Sequence, residues 1–369
     1  MAIAVGSTLE EIREKVEARE RLDLEDGLTL MESDDLLAIG ELADLARRLR
    51  GGDDRVYFVQ NLYLNQTNVC RVKCKFCAFA ATEKQGHAYT FTPAELVADA
   101  LAQREILPFT EIHMVNGENP HVGFDFYRDA IAGLHEALPD VFLKCYTASE
   151  IHHMTTISGR THEQVLRERK DAGLGALTGG GAEVFAERVR RLVAPGKEHP
   201  DIWFHVHDTA HRLGIPTHCT LLYGHVETYE ERIEHLLRLR DQQDKSGGFL
   251  AFIPLAFHPE NTVFARRGFT FQTGAADLKM LAVSRLLLDN IANIKAYWIS
   301  LTMPVAQVAL HFGANDVQGT LVREQIFRAA GSTAGTEQKL EELVRVVRAA
   351  GRIPVQRDTL YNDLRTWEA

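Results

Sequence analysis

Residues 68–79 read Asn-Val-Cys70-Arg-Val-Lys-Cys74-Lys-Phe-Cys77-Ala-Phe, with three residues between the first two cysteines and two between the last two. Thiolates this close in sequence can surround one soft metal centre, and iron–sulfur clusters commonly occupy such loops. A four-iron cluster held by three thiolates keeps one iron available for another ligand. The spacing therefore predicts a [4Fe-4S] cluster at which chemistry takes place, rather than one that only carries electrons.

A structural zinc site is the main alternative for this loop. Such sites usually combine two separated cysteine pairs, or a cysteine pair with a histidine pair. The other cysteines, Cys145 and Cys219, stand alone and far from the loop, and the spacing of His87 does not single it out as a fourth ligand. A disulfide framework is disfavoured as well, because five cysteines in 369 residues is an odd and low number.

The composition is that of an ordinary globular protein, with 45% hydrophobic and 25% charged residues. A net charge of −10 argues against a nucleic-acid partner, which would need a basic surface. The longest apolar runs, such as residues 249–257, are too short to cross a bilayer, and the first residues lack the basic segment of a secretory signal. Free thiols and an oxygen-sensitive cluster fit a reducing cytoplasm, so we expect a cytoplasmic protein without a membrane partner.

From about residue 56, short apolar runs alternate with amphipathic segments. Seven strands are predicted, and an eighth, less well defined, near residues 315–320. The seven cover residues 56–64, 111–115, 141–146, 175–178, 215–223, 249–255 and 294–299. Their spacing is that of βα units, which predicts an α/β fold of the (β/α)8 type, complete or partial. A doubly wound open sheet is the alternative, but its G-x-G-x-x-G fingerprint after the first strand is missing.

Three segments are predicted along the chain. Residues 1–54 form an N-terminal helical extension, residues 55–320 form the barrel, and residues 321–369 form a C-terminal helical extension and tail. Within the last segment, residues 353–358 have the composition of an extended strand. We expect this tail to return to the mouth of the barrel.

Several polar segments follow predicted strands and should meet at the C-terminal end of the barrel, where active sites of this fold lie. Besides the cysteines they are residues 116–118, 179–183, 224–227 and 258–262. This convergence predicts an enzyme. Each segment also has a simpler explanation, since residues 179–181 could be a flexible glycine turn and His225 and Glu227 could begin a helix.

Two histidine pairs are predicted to have no chemical role. His205 and His207 lie in Trp-Phe-His-Val-His-Asp, which is more typical of a packed helix than of a metal site. His152 and His153 are interpreted as part of a solvated loop.

The cysteine motif closely resembles that of the radical S-adenosylmethionine (SAM) superfamily. Over about residues 55–320, further segments resemble the subgroup that builds futalosine-type intermediates and the deazaflavin cofactor F420. They are Gly-Gly-Ala-Glu at 180–183, Leu-Tyr-Gly-His at 222–225, Ile-Pro-Leu-Ala-Phe-His at 253–258 and Gly-Ala-Asn-Asp at 313–316. His-Met-Val-Asn-Gly at 113–117 and Pro-Val-Gln-Arg-Asp at 354–358 most resemble the aminodeoxyfutalosine synthases of the menaquinone pathway.

This resemblance implies a radical SAM barrel with a [4Fe-4S] cluster on Cys70, Cys74 and Cys77, and SAM as a consumed co-substrate. Phe76 would lie beside the adenine of SAM. Residues Asn116, Gly117 and Glu118 would hold its amino group, and Gly181 and Glu183 would contact its nucleoside, with Glu183 at the ribose. The continuation Glu-Asn-Pro-His at 118–121 departs from the family pattern, so the backbone of this segment is the expected contact.

The implied reaction adds the 5′-deoxyadenosyl radical from SAM to 3-[(1-carboxyvinyl)oxy]benzoate, giving aminodeoxyfutalosine, methionine and CO2. The substrate carries two carboxylates, for which His225, His258, Arg266 and Arg357 are the candidate partners. A reducing protein such as flavodoxin or ferredoxin would supply the electron. The alternatives are a sister enzyme that abstracts hydrogen, namely a dehypoxanthine futalosine cyclase or an F420-precursor synthase, and a non-catalytic metal-binding protein.

Overall fold

The computed structural model describes residues 7–335 and 337–368, so the first six residues of the predicted segment 1–54, and residues 336 and 369 of the last segment, lie outside it. Ten strands are present in this part of the chain. They are β1 (Arg55–Val59), β2 (Asn61–Leu64), β3 (Glu111–Met114), β4 (Phe142–Cys145), β5 (Thr217–Tyr223), β6 (Phe249–Ala256), β7 (Asn293–Ile294), β8 (Asp316–Gly319), β9 (Ile353–Arg357) and β10 (Asp363–Thr366).

Parallel strands close into a ring of eight positions, which confirms the predicted barrel. The predicted first strand is present as β1 and β2, interrupted at Gln60, with β1 pairing with β8 and β2 with β3. The pairs β3–β4, β5–β6 and β6–β7 continue the ring. Single bridges complete it, because residues 176–177 connect β4 to β5 and Lys295 pairs with Asp316 of β8. The eighth strand therefore lies where it was predicted.

Helices surround this ring. They are α1 (Leu9–Glu17), α2 (Leu24–Glu32), α3 (Leu36–Leu49), α4 (Pro93–Arg104), α5 (Phe124–Ala137), α6 (Ala148–Ser158), α7 (His162–Asp171), α8 (Glu187–Val193), α9 (Pro200–Arg212), α10 (Tyr229–Ser246), α11 (Gly274–Leu287), α12 (Trp298–Leu301), α13 (Met303–Val308), α14 (Ile326–Ala329) and α15 (Leu340–Ala349). Local chemistry sets several starts: α4 begins with the capping box of Thr92 and Glu95 and a proline in its first turn. On the outside of the barrel, α2 packs against α10 and α3 against α11.

Two predictions of local structure are wrong. The strand predicted at residues 294–299 ends at Ile294, and Trp298 begins α12. The buried indole N–H of Trp298 donates to the carbonyl oxygen of Gly319 at 2.9 Å. His152 and His153 lie in α6 rather than in a solvated loop, and His153 is buried against the carbonyl oxygen of Asn119. His205 and His207 lie in α9, as predicted for a packed helix.

The C-terminal tail joins the barrel at the end opposite to the predicted mouth. β9 pairs in parallel with β1, and β10 pairs antiparallel with β9. The tail then reaches the first residues of β3 and β8, which mark the N-terminal end of the barrel. Thr359 donates to Glu111 at 2.8 Å, and Tyr361 donates to Asp316 at 2.7 Å. The tail therefore closes the bottom of the barrel.

Among the described residues, we find no helix that combines the length and apolar character needed to span a membrane.

Candidate active site

The cysteine loop follows β2 at the C-terminal end of the barrel, as predicted. It is fixed by the loop after β3. The N–H of Arg71 donates to the carbonyl oxygen of Glu118 at 3.0 Å, and the N–H of Gly117 donates to that of Thr67 at 2.8 Å. A side chain at Gly117 would collide with the carbonyl oxygen of Val69. Glycine therefore allows this segment to lie directly against the cysteine loop.

The three thiols have the chemistry that an iron–sulfur cluster requires. Cys70, Cys74 and Cys77 are free and line the same cavity. Burial raises the pKa of Cys74 and of Cys77, so their thiolate forms need a bound cation. Within residues 7–335 and 337–368, no three His, Cys, Asp or Glu side chains surround a single ion site. In a four-iron cluster each thiolate binds a different iron. The three sulfur atoms therefore need not surround one common ion position.

The cavity that contains the thiols has a volume of about 280 Å³ and extends into the barrel. It brings together the segments after the strands at residues 116–118 and 179–183, as their position in the sequence predicted. Every predicted SAM-binding residue lines it: Phe76, Asn116, Gly117, Glu118, Gly181 and Glu183. Apolar walls are supplied by Leu222, Ile253, Leu255 and Phe257.

The glycines at 179–181 are held in place rather than being a flexible turn. A Cβ at Gly179 would lie 2.9 Å from the Cα of Cys219, and one at Gly180 would lie 2.8 Å from the Cγ2 of Thr147. Gly181 has a φ of +93°, which side chains rarely adopt. All three line the cavity, so the backbone presents an open surface there to a ligand.

Glu183 is held by a buried lysine. Its φ of +48° is unusual for a residue with a side chain, and its carboxylate is paired with the ammonium group of Lys197. Although burial opposes the charged form, the Glu183 carboxylate holds the pKa of Lys197 above its ordinary value. Lys197 therefore fixes Glu183 beside the cysteine loop.

Asn116 has an internal role in addition to its position at the cavity. Its backbone and side-chain N–H groups donate to one oxygen of Glu150 at 3.0 and 3.1 Å. Glu118 is buried and paired with Arg71 at 2.9 Å, and burial raises the pKa of Glu118 to about 7. The side chain and the backbone N–H of Asn116 thus both shape the loop, and its backbone carbonyl is the group left for a ligand.

Only one of the four predicted substrate-binding residues lines the cavity. His258 does so, and its Nε2 lies 2.9 Å from the carbonyl oxygen of Ser300. Its Nδ1 has no hydrogen-bond partner in the part of the chain that the structure describes. Because burial lowers the pKa of His258, the ring is neutral, and Nδ1 is the acceptor since Nε2 donates to the carbonyl oxygen of Ser300.

The structure places His225, Arg266 and Arg357 outside the cavity lining. His225 makes local contacts instead, with its Nδ1 2.9 Å from the carboxylate of Glu227. Both residues lie just before α10. Arg266 is exposed in a short 3-10 helix. Arg357 is fully buried at the bottom of the barrel, because the tail enters at that end.

Polar residues inside the barrel were missed in the sequence. Lys144, His113 and Tyr63 are neighbours on adjacent strands, and Lys295 and His218 lie with them along the cavity. A signal was present, because each polar residue interrupts an apolar strand, as in Phe-Leu-Lys-Cys at 142–145. In a barrel such a position points into the interior.

Comparison with known proteins agrees with this site. Residues 64–239 match the family model of the Radical SAM superfamily, and residues 246–368 match that of the CofH/MqnC C-terminal region. An aminodeoxyfutalosine synthase from Thermus thermophilus is 46% identical over 97% of this chain and 96% of its own length. The chain belongs to the radical SAM superfamily. It is therefore an enzyme, in the subgroup with a CofH/MqnC C-terminal region.

Of two further relatives, one carries the same name and one a different name. An aminodeoxyfutalosine synthase from Streptomyces coelicolor is 42% identical over 97% of this chain and 94% of its own length. A 5-amino-6-(D-ribitylamino)uracil–L-tyrosine 4-hydroxyphenyl transferase from Methanothermobacter thermautotrophicus is 40% identical, over 89% of this chain and 90% of its own. Among solved structures, methylornithine synthase has a TM-score of 0.73 at 18% identity, covering 93% of this chain and 97% of its own. That likeness extends to the fold alone.

Radical SAM enzymes use a [4Fe-4S] cluster and SAM, and Cys70, Cys74 and Cys77 have the C-x3-C-x2-C spacing of the superfamily. The residues present fit both groups. Three unpaired thiols line one cavity, and the glycines that line it with them present backbone there because their other side is packed too closely for a Cβ.

Proposed function

We propose that this radical SAM enzyme joins the 5′-deoxyadenosyl group of SAM to 3-[(1-carboxyvinyl)oxy]benzoate and forms aminodeoxyfutalosine for menaquinone biosynthesis. The observation that carries the proposal is that one cavity connects the cysteine loop to a barrel interior containing two lysines. A substrate with two carboxylates requires cationic partners of this kind. The order of similarity also supports it, since two enzymes of that name are 46% and 42% identical to this chain and a cyclic dehypoxanthine futalosine synthase is 35% identical.

The reaction balances without net oxidation. Cys70, Cys74 and Cys77 would hold the cluster, which would supply one electron for opening the C5′–S bond of SAM, with methionine leaving, and would take one electron back after CO2 is lost. A bond forms between C5′ and the terminal CH2 of the enol ether. The aryl group moves from the ether oxygen to the adjacent carbon, the C–O bond becomes a ketone, and the carboxyl group on that carbon leaves as CO2.

The residues of the chain bind and orient the two substrates. Residues 116–118 and the glycines 179–181 present backbone to SAM, while Phe76 contacts its adenine and Glu183 its ribose. The apolar walls of the cavity exclude water, which protects a reactive radical. His258 offers a neutral acceptor at its Nδ1. We expect a reduced flavodoxin or ferredoxin to deliver the electron.

Product analysis tests this proposal. Anaerobically reconstituted protein is given dithionite, SAM and 3-[(1-carboxyvinyl)oxy]benzoate, and the products are identified by mass spectrometry. We expect aminodeoxyfutalosine and methionine in equal amounts. Free 5′-deoxyadenosine with no adduct would point instead to a sister reaction that abstracts hydrogen, and would overturn the proposal.

A cysteine variant provides the control. Cys74→Ala should lose iron and all SAM cleavage, whereas Cys219→Ala, which removes a buried thiol outside the cavity lining, should keep both. Retention of iron and activity by Cys74→Ala would contradict the assigned cluster site.

A further inference from the structure

A group of polar side chains, here named the barrel floor, lies in the interior of the barrel below the cysteine loop. It consists of Lys144, Lys295, His113, His218 and Gln318, and all five line the cavity. His113 and Lys144 are direct neighbours on β3 and β4, and Lys295 pairs with the first residue of β8. The barrel floor therefore faces whatever occupies the deep part of the cavity.

The charges around the barrel floor do not cancel. Two carboxylates, Glu111 and Asp316, meet three basic side chains, Lys144, Lys295 and Arg357. The further carboxyl of Glu324, beside Tyr63 and Tyr297, has its pKa raised to about 7 by burial. Lys144 is paired with Glu111 at 2.5 Å, and Arg357 is paired with Asp316 at 2.7 Å. Lys295 lies 3.8 Å from the Asp316 oxygen that Arg357 already binds. Lys295 is therefore the one basic side chain of the three without a carboxylate of its own, and it becomes charged when an anion arrives beside it.

Hydrogen-bond donors are also in excess. Lys295 donates to the side-chain oxygen of Gln318 at 2.9 Å, and the amide of Gln318 donates to the hydroxyl of Tyr63 at 3.2 Å. The hydroxyls of Tyr63 and Tyr297 share one contact at 3.0 Å. Whichever of the two donates, one hydroxyl hydrogen has no acceptor among the described residues. Once protonated, Lys295 likewise keeps two of its three N–H donors without an acceptor there.

His218 adds unsatisfied polar atoms at the same place. Its side chain is buried, yet neither ring nitrogen has a hydrogen-bond partner in the described part of the chain. Burial and the neighbouring lysines hold the pKa of His218 well below its ordinary value, so the ring is neutral. A buried polar group without a partner is costly, and it marks a place where a ligand atom belongs.

We infer that the barrel floor binds the carboxylate on the aromatic ring of the substrate, with Lys295 as its main cationic partner. This inference rests on the proposed function. The enol-ether CH2 must face C5′ of SAM, which lies on the side of the cysteine loop. The ring carboxylate, on the far side of the ether oxygen, then points away from that loop and into the barrel. Lys295, which has no carboxylate of its own, and the spare donors lie there.

Binding without turnover tests the inference. Unreduced holoenzyme with SAM is titrated calorimetrically with 3-[(1-carboxyvinyl)oxy]benzoate and, separately, with 2-phenoxyprop-2-enoate, which lacks only the ring carboxylate. We expect the wild-type enzyme to bind the dicarboxylate about 10- to 100-fold more tightly. Lys295→Gln should remove most of this difference and leave the affinity for the phenoxy ligand unchanged.

A matched lysine variant controls for general effects. Lys279 is partly buried and donates to the carbonyl oxygens of Met31 and Ser33, far from the cavity, so Lys279→Gln should keep the wild-type selectivity. Equal affinity of the wild-type enzyme for the two ligands would overturn the inference without any variant. A loss of affinity for both ligands in Lys295→Gln would show that Lys295 only supports the fold, which overturns it too.

The two proposals fail in different experiments. If the wild-type enzyme forms the adduct but does not discriminate between the two ligands, the barrel floor is wrongly assigned and the proposed function stands. If it forms no adduct, the proposed function is wrong. Tighter binding of the dicarboxylate than of the phenoxy ligand, lost in Lys295→Gln, would still show that the barrel floor binds an aromatic carboxylate.

Discussion

The guanidinium of Arg357 binds the carboxylate of Asp316 at 2.7 Å inside the N-terminal end of the barrel. Both side chains are fully buried. Arg357 belongs to β9, which comes after the eight barrel positions in the chain and pairs with β1. This ion pair ties the C-terminal tail to β8 and closes the bottom of the barrel. Because Asp316 also faces Lys295, the tail helps to set the charge of the barrel floor.

Removing Arg357 should destabilise the fold. Arg357→Met leaves the buried carboxylate of Asp316 without its closest cation, and breaking a buried pair in this way typically costs about 3–5 kcal/mol. Thermal and urea unfolding should therefore show a clear loss of stability. Arg365→Met is the control, because Arg365 is exposed on β10, and it should change the stability by less than about 1 kcal/mol. Equal stability of the two variants would contradict a supporting role for the tail.

The outline of the barrel was predictable because its signals are local. The capping box at Thr92 and Glu95 and the apolar runs of the strands depend on neighbouring residues alone. The run at 294–299 was misassigned because a short apolar segment suits a strand and a buried helix equally well. The contact of the Trp298 indole with Gly319 is tertiary, so the local sequence does not report it.

The site was predictable only where a loop follows a strand. The loops containing Gly117 and Glu183 were placed correctly because parallel strands end on the same face. Arg357 was assigned to the wrong end, since nothing in its surrounding sequence tells at which end of the barrel the tail enters. Lys144 and Lys295 were overlooked, although a charged residue within an apolar strand indicates a polar barrel interior.

A methyl group at Gly117 should disturb the cysteine loop. In Gly117→Ala the new Cβ collides with the carbonyl oxygen of Val69, so the loop must shift away from its position. We expect reduced iron per chain after reconstitution and a weaker absorption band of the cluster. Gly123→Ala is the matched control, because a Cβ there meets nothing within 4 Å. Full iron content in Gly117→Ala would argue against this close contact.

Lys197 should matter for SAM binding through Glu183. Lys197→Met removes the partner that fixes the Glu183 carboxylate, so the affinity of unreduced holoenzyme for SAM should fall by about tenfold, as for loss of one charged hydrogen bond. Equilibrium titration with SAM measures it. Lys170→Met, which removes a surface lysine, should bind SAM normally. An unchanged affinity of Lys197→Met for SAM would show that the position of Glu183 does not affect SAM binding.

Glu324 should make the stability depend on pH. Burial raises its pKa to about 7 from an ordinary value of 4.5, so the folded state retains the proton longer than the unfolded state does. The contribution of Glu324 to the free energy of unfolding is then fully present below pH 4.5 and is lost as the pH rises through 7. Its upper limit is about 3 kcal/mol. Compared with Glu324→Gln in urea unfolding, the wild-type enzyme should lose its relative stability between pH 5 and 7.5. A difference that does not change with pH would refute a raised pKa. The buried histidines affect both proteins alike.

Binding of the substrate should bring a proton to Lys295. Burial and the nearby Arg357 hold the pKa of Lys295 well below its ordinary value, and an arriving carboxylate stabilises the charged form and raises it. Above the lowered pKa, binding should therefore be accompanied by the uptake of at most one proton, and the affinity should weaken as the pH rises.

Calorimetric titrations in buffers of different ionisation enthalpy measure this uptake, which Lys295→Gln should abolish. Six other groups face Lys295: Lys144, Glu111, His218, Asp316, Arg357 and Tyr361. We expect each to keep its charge when the substrate binds, or to change it by the same amount in the wild-type enzyme and in Lys295→Gln. Proton uptake that persists in Lys295→Gln would assign the titration to one of them.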